Sequence, residues 1–315
     1  MSRQSPGAPH IAFLSRSASL AYFRPLMAEA MPHAEISVWP EPRCLDAEIA
    51  VCWNPPPDVY ARMPRLRLIH SIAAGVDNLL EGRRDPGVPV CRVVDPGLAR
   101  GMIEYVRWSV LYFHRHFDRM AAQQRARAWQ RLPLAAASAC RVGVMGLGEL
   151  GGVVARALRD DGYDVGGWSR SARQIDGIRT WHGEGGLAPF LARTDVLVCL
   201  LPLTDATRGI LGARTLAGLP EGAALVHCGR GEHLVPADLI AALAGGRLRG
   251  AVLDVFPTEP LPADDPLWTC PGVVVTPHMA SMAASTEVVR QVAGNIQRLR
   301  DGLPLRNTVD LARGY

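Results

Sequence analysis

The chain contains no lysine; all 34 of its basic residues are arginine. Without an ε-amino group there is no Schiff base, hence no pyridoxal enzyme or lysine-dependent aldolase, and no Walker-type phosphate loop. Seven cysteines are scattered with no C-x-x-C spacing, an odd number that argues against a disulfide framework and a structural zinc site. No metal is expected. No apolar run is long enough to span a bilayer, and the start Met1-Ser2-Arg3-Gln4-Ser5-Pro6 lacks the hydrophobic core of a signal peptide. The expectation is a cytoplasmic protein with no membrane partner. Large charge of one sign is also missing, since the net charge is +4 and the arginines are interspersed with acids. Arg125-Ala126-Arg127 and Arg115-His116 therefore read as a solvated helix face or subunit contact, with no nucleic-acid partner. What is present is 48% hydrophobic residues in 315, enough to bury a sizeable core in two domains.

The most informative local feature is Gly146-Leu147-Gly148-Glu149-Leu150-Gly151. It follows the apolar run Cys140-Arg141-Val142-Gly143-Val144-Met145 and precedes Val153-Val154-Ala155-Arg156-Ala157-Leu158, which has helical spacing. Strand, tight turn and helix are the context a dinucleotide-binding turn requires. Gly146 permits the turn, Gly148 lets the backbone approach a pyrophosphate, and Gly151 allows close helix-to-sheet packing at a helix N-terminus. The same glycine pattern alone also occurs in methyltransferases, flavoproteins and surface turns.

Cofactor choice is read about 20 residues further on, where an acid would hold the ribose 2′-hydroxyl of NAD. The strand Tyr163-Asp164-Val165-Gly166-Gly167-Trp168 ends instead in Ser169-Arg170-Ser171, with Arg173 nearby, and Asp176 lies too far into the loop to replace the acid. A guanidinium binds a 2′-phosphate through charge-assisted hydrogen bonds, so NADPH is preferred and NADH remains possible. The alternative makes Arg170 and Arg173 ordinary solvated loop charges.

Five further motifs bring a family into view: Ser71-Ile72-Ala73-Ala74-Gly75-Val76-Asp77, Leu200-Leu201-Pro202-Leu203-Thr204, His227-Cys228-Gly229-Arg230-Gly231, Leu253-Asp254-Val255-Phe256-Pro257-Thr258-Glu259-Pro260-Leu261 and Thr276-Pro277-His278-Met279-Ala280-Ser281. In order and spacing they resemble the D-isomer-specific 2-hydroxyacid dehydrogenases over nearly the whole chain. Glu104-Tyr105, Phe117-Asp118-Arg119, Trp168-Ser169-Arg170-Ser171 and the ending Val309-Asp310-Leu311-Ala312-Arg313-Gly314-Tyr315 resemble the glyoxylate/hydroxypyruvate reductase A branch.

The resemblance implies a small 2-keto or 2-hydroxy acid substrate and hydride transfer from a nicotinamide. Hydride arriving at a keto carbon leaves negative charge on oxygen, which a proton donor must meet near neutral pH. His278 matches the family acid, Glu259 the carboxylate that orients it, and Arg230 the cation that grips the substrate carboxylate and polarises the keto oxygen. Taken alone, His278 reads equally as a strand-end residue and Glu259-Pro260 as a turn. Leu201, Pro202, Cys228, Gly229, His278 and Ala280 match cofactor-facing positions. Asp254 matches one near the nicotinamide amide, or is a hydrogen-bonded core aspartate. Ala74 and Gly75 match a loop whose amides receive the substrate carboxylate. Trp53 has two readings, a ligand neighbour or packing at a strand end. His227 departs from the family, many of whose members carry Asn there, and Cys228 is either a reactive thiol or a buried structural one.

Alternation of strands and helices predicts a doubly wound α/β fold with two parallel sheets. A Rossmann cofactor domain (101–281) is inserted into a split, flavodoxin-like substrate domain (1–100 and 282–315). Strands are expected over 11–14, 49–52, 68–71 and 90–94, one long helical pattern over 101–123, and a return helix over 286–299. The arm at 101–123 implies, by resemblance, a homodimer. A rival reading keeps this fold but makes it a non-catalytic NAD(P)-sensing interaction protein.

Overall fold

The computed structural model describes residues 7–80 and 86–310. The first six residues and the last five of the C-terminal motif, Leu311-Ala312-Arg313-Gly314-Tyr315, lie outside the described residues. The chain divides into two compact units, one formed by Met1–Leu98 with Met282–Tyr315 and the other by Ala99–Ser281.

The first unit holds β1 (His10–Leu14), β2 (Glu35–Val38), β3 (Ile49–Cys52), β4 (Leu68–Ser71) and β5 (Val90–Cys91), all parallel, in the order β2-β1-β3-β4-β5. This is the flavodoxin-like order. Every residue of β1, β3 and β4 is buried, because a parallel sheet is covered on both faces and its strands are continuous apolar runs. Phe13, Phe23, Met27, Val288, Val292 and Ile296 fill one side, with the Phe13 and Phe23 rings stacked 5.3 Å apart.

Two expectations change here. β2 emerges from Glu35-Ile36-Ser37-Val38, whose two apolar residues alternate with polar ones and give no continuous apolar run, and the run expected over 90–94 pairs only through Cys91. Beyond it the amide of Arg92 donates to Asn307 and that of Val93 to Ala73, so those amides serve loops instead of the sheet.

The return segment is the helix Ser285–Arg300. It is tied to β4 by Asn295, whose Nδ2 donates to His70 Nε2 at 3.2 Å and to the Arg306 carbonyl at 3.0 Å, while its Oδ1 accepts from the Arg306 amide at 2.9 Å. His70 Nδ1 donates to the Ser71 carbonyl at 2.7 Å. A fully buried neutral imidazole thus joins two segments 225 residues apart.

The second unit contains β6 (Arg141–Met145), β7 (Asp164–Ser169), β8 (Arg179–His182), β9 (Val196–Cys199), β10 (Ala223–His227), β11 (Leu248–Leu253) and β12 (Val273–Val275). All pairings are parallel, in the order β12-β11-β10-β9-β6-β7-β8. Counted from β6, this is the Rossmann order with a further strand at one edge, and the order reverses between β6 and β9. Among the described residues, no helix is long and apolar enough to cross a membrane.

The pattern expected as one helix over 101–123 forms two, Pro96–His114 and Phe117–Ala126, with His116 between them at φ 61°. The break is organised by Arg249, which donates to the Phe113 carbonyl and to His116 Nδ1 and lies 3.6 Å from Asp118. One cation serves the C-terminus of the first helix and the acid opening the second. A distant arginine therefore overrides a continuous local periodicity.

Burial lowers the pKa of His70 from 6.5 to about 4. Above pH 6.5 the folded and unfolded chains are both neutral at this residue. As pH falls from 6.5 towards 4 only the unfolded chain takes the proton, so stability drops by about 1.4 kcal/mol per pH unit from this group. His70→Asn, which keeps an N–H near the Nδ1 position, is expected to have the shallower slope in urea melts between pH 7 and about 4.5; parallel slopes for the two proteins would contradict the assignment.

Candidate active site

Parallel strands deliver their carboxyl ends to one edge of a sheet. In the second unit the glycine turn follows β6, the Ser169 loop ends β7, Leu201 follows β9, Arg230 follows β10, Glu259 follows β11 and His278 follows β12. Candidate residues from six strand ends are thereby gathered at that edge.

At β6 the turn behaves as the glycines require. Gly146 has φ +104°, a region side chains rarely enter, and a Cβ there would lie 2.7 Å from the Leu200 carbonyl oxygen. A Cβ on Gly151 would sit 1.7 Å from the Gly146 oxygen, so only glycine lets the helix Glu149–Asp160 start this close to the strand. Gly148, by contrast, faces open space. Leu147 is buried against β7, where a Cβ on Gly167 would meet it at 2.6 Å. The first-turn amides, including those of Glu149 and Leu150, have no acceptor inside the helix. An unobstructed glycine at a helix N-terminus beside the switch point fits a dinucleotide pyrophosphate.

The loop after β7 is shaped by Ser169, whose hydroxyl donates to the Ser171 carbonyl at 2.8 Å, and by Thr180, which donates to the Arg173 carbonyl at 2.7 Å. Arg170, Ser171 and Arg173 are exposed. Neither arginine is ion-paired with a described residue, whereas Arg159 pairs with Asp160 and Arg193 with Asp164 in the same region.

The acid-base pair is formed directly. His278 Nδ1 lies 2.8 Å from Glu259 Oε2, and Glu259 Oε1 accepts from the Phe256 amide at 3.0 Å. A carboxylate only accepts, so Nδ1 carries the proton in this contact. The two side chains keep 29% and 30% of their surface exposed, which leaves the pair open to a small molecule.

His278 itself has φ 52°, an unfavourable left-handed conformation for a residue with a side chain. Asp254 holds it there. The Asp254 carbonyl accepts from the His278 amide at 2.9 Å, and its carboxylate accepts from the amides of Met279 and Ala280, each at 2.9 Å. Thr276 Oγ1 donates to Asp254 Oδ1 at 2.7 Å and accepts from the Tyr105 hydroxyl at 2.6 Å. Burial pushes the Asp254 carboxyl up, opposed by the donors from Thr276, Ala280 and Met279. Of the two readings of Asp254, the geometry displays the hydrogen-bonded core aspartate. The Tyr105–Thr276 bridge spans 171 residues and gave no local signal in the sequence.

Arg230 stands on the neighbouring strand end. Its Nη1 donates to the Gly229 carbonyl at 2.9 Å. The next residue explains how its loop meets that of Glu259: a Cβ on Gly231 would fall 1.8 Å from the Phe256 carbonyl carbon, so the two loops touch backbone to backbone. Arg230 also sits between two fully buried imidazoles, His227 and His233. Burial pushes the Cys228 thiol well above its ordinary range, which is the state of a structural cysteine. Cys199, His227 and His233 bring donor atoms within 4.8 Å of one another. Three of the four ring nitrogens already serve backbone groups: His227 Nε2 meets the Arg230 carbonyl, His233 Nδ1 the Arg230 amide, and His233 Nε2 the Pro202 carbonyl. His227 stands out in the sequence as a departure from the family's Asn, whereas His233 carries no such local signal.

In the first unit, Trp53 follows β3 and Ala74 and Gly75 follow β4, again at carboxyl ends of adjacent parallel strands. Ser71 Oγ accepts from the Ala73 amide and donates to the Gly75 carbonyl, both at 3.0 Å, which fixes that loop. Trp53 and Ala74 are partly buried against the core around Phe13.

Comparison with known proteins agrees with these features. The family model for the D-isomer specific 2-hydroxyacid dehydrogenase NAD-binding domain matches residues 108–280. The chain is 37% identical to a glyoxylate/hydroxypyruvate reductase A of Salmonella heidelberg, with 97% of this chain and 99% of that protein covered. A crystal structure of a D-isomer specific 2-hydroxyacid dehydrogenase family protein from Klebsiella pneumoniae superposes with a TM-score of 0.90 at 47% identity, covering 98% of this chain and 99% of that one. The NADPH-dependent glyoxylate/hydroxypyruvate reductase of Sinorhizobium meliloti, solved with NADP and sulfate, gives a TM-score of 0.87 at 36% identity, covering 98% of this chain and 100% of that one. The chain belongs to the D-isomer-specific 2-hydroxyacid dehydrogenase family and carries that family's NAD-binding domain.

Proposed function

We propose that this protein reduces small 2-keto acids, glyoxylate and hydroxypyruvate among them, to 2-hydroxy acids with NADPH. The observation that carries this reading is the 2.8 Å contact between His278 and Glu259, which follow the paired strands β12 and β11, with Arg230 following β10 on the other side of β11. NADPH, when bound, supplies the hydride that adds to the keto carbon. His278 Nε2 donates the proton to the carbonyl oxygen as its charge develops. Glu259 holds the imidazole by Nδ1 and favours its protonated form. The Arg230 guanidinium grips the substrate carboxylate and polarises the keto oxygen. In the first unit, Ala74 and Gly75 offer backbone amides suited to a carboxylate, and Trp53 is a candidate ligand neighbour.

For the cofactor, Gly146, Leu147, Gly148, Glu149, Leu150 and Gly151 form the pyrophosphate turn. Ser169, Arg170, Ser171 and Arg173 receive the 2′-phosphate. Leu201, Pro202, Cys228, Gly229, Asp254 and Ala280 line the nicotinamide side, with Asp254 acting through the loop it ties. The Sinorhizobium relative is NADPH-dependent, and the exposed Arg170 and Arg173, which form no ion pair among the described residues, support the same choice here. The working form is a cytoplasmic homodimer. The dimer is supported by an exposed apolar stripe, Trp108, Leu111, Phe117 and Met120, along the two helices broken at His116.

His278→Ala is expected to lower kcat with glyoxylate about 100-fold or more while NADPH still binds, read by steady-state rates and nucleotide fluorescence. Unchanged kcat would end the assignment. Replacing both Arg170 and Arg173 with Asp should raise the KM for NADPH about tenfold or more and leave that for NADH nearly unmoved. Equal changes for both cofactors would reduce these arginines to surface charges. Light scattering should give twice the chain mass for the wild type and a shift to monomer for Leu111→Glu; a wild-type monomer would refute the dimer.

A further inference from the structure

Two imidazoles grip the backbone of the residue proposed to bind substrate. His227 Nε2 lies 2.9 Å from the Arg230 carbonyl, and His233 Nδ1 lies 3.0 Å from the Arg230 amide nitrogen. The amide of His233 returns a bond to the same carbonyl at 3.0 Å. On its far side, His233 Nε2 reaches the Pro202 carbonyl at 3.2 Å. Both rings are fully buried and meet edge to face, their centres 5.7 Å apart.

The partners dictate the proton positions. A carbonyl only accepts, so His227 must carry its proton on Nε2 to meet Arg230, and His233 must carry its proton on Nε2 to meet Pro202. An amide N–H only donates, so His233 Nδ1 must be bare. Both rings are therefore held neutral in the same tautomer. The cost falls on His227, whose bare Nδ1 is buried with no hydrogen-bond partner. A buried acceptor left unmet is destabilising. The rings also explain Gly229: a Cβ there would lie 2.7 Å from His233 Nδ1 and 3.3 Å from the Cε1 of His227.

We propose that His227 and His233 are positioning residues that fix the backbone of Arg230 and so aim its guanidinium, with His233 also locking the Arg230 loop to the Leu200-Leu201-Pro202 segment. This rests on the reading of Arg230 as the substrate-binding cation. Packing alone would need no nitrogen at these positions, and a metal site would need ring nitrogens that the backbone already occupies.

The test separates nitrogen from shape. Gln places its amide nitrogen near the Nε2 of His, and Asn places its carbonyl oxygen near Nδ1. With glyoxylate and NADPH, His227→Leu and His233→Leu are expected to lower kcat/KM about tenfold or more with NADPH affinity held within about twofold, and His227→Gln and His233→Asn to recover most of the loss. In an Arg230→Ala background the two Leu substitutions should each cost less than about twofold, because the residue they aim is gone. Equal losses in both backgrounds, or no rescue by Gln and Asn, would overturn the positioning role.

Hydrogen exchange at the Arg230 amide reads the clamp without turnover. It should be protected in the wild type and in His233→Asn and exchange about tenfold faster in His233→Leu. Identical exchange in all three would overturn the clamp whether or not the wild type reduces a keto acid. Wild-type protein that showed this exchange pattern but no keto-acid reduction would sink the proposed function, and with it the positioning role, while leaving the clamp standing.

Discussion

His278 meets Glu259 because β11 and β12 are parallel neighbours that end at the same edge, so residues 19 apart in sequence emerge side by side. Much of the candidate site depends on that shared edge. Gly231 brings the loop after β10 into backbone contact with Phe256, Phe256 donates to Glu259, and Glu259 holds His278. A guanidinium, a carboxylate and an imidazole thus belong to one packed series of loops. In an antiparallel sheet, alternate loops would leave by the opposite edge.

The buried imidazoles of each unit are held neutral. His70, His227 and His233 each bridge backbone or amide groups, and burial holds His70 and His227 below their ordinary pKa. Asp254 keeps its carboxylate among three donors, one from Thr276 and two from backbone amides. Permanent charge is placed where water reaches it, as in exposed Arg170 and Arg173 and half-buried Arg230. With arginine as the sole strong base, cationic recognition here is forked and geometric, suited to carboxylates and phosphates.

Much of the architecture was legible because its signals are local. The glycine turn carries its conformational demand in its own residues: Gly146 at positive φ, and Gly151 packed against the Gly146 carbonyl. Apolar runs such as Ile49–Cys52 and Leu68–Ser71 read as buried parallel strands because both of their faces are covered. What escaped was set by distant partners. The break at His116 depends on Arg249, 133 residues away, and the short β5 on amides diverted to Asn307 and Ala73. At the site, the types of Arg230, Glu259 and His278 were legible from motif order. The Tyr105–Thr276–Asp254 chain and the tautomers around Arg230 were not, since a hydroxyl or imidazole carries no sign of its partner until the chain is folded.

The most direct measurement is a crystal structure of the protein with NADP and glycolate bound. The expected complex has the glycolate hydroxyl within hydrogen-bond distance of His278 Nε2, about 2.6–3.2 Å, and its carboxylate on the Arg230 guanidinium, with Nδ1 still on Glu259. Glycolate bound away from both side chains, or His278 turned to present Nδ1 to the ligand, would contradict it.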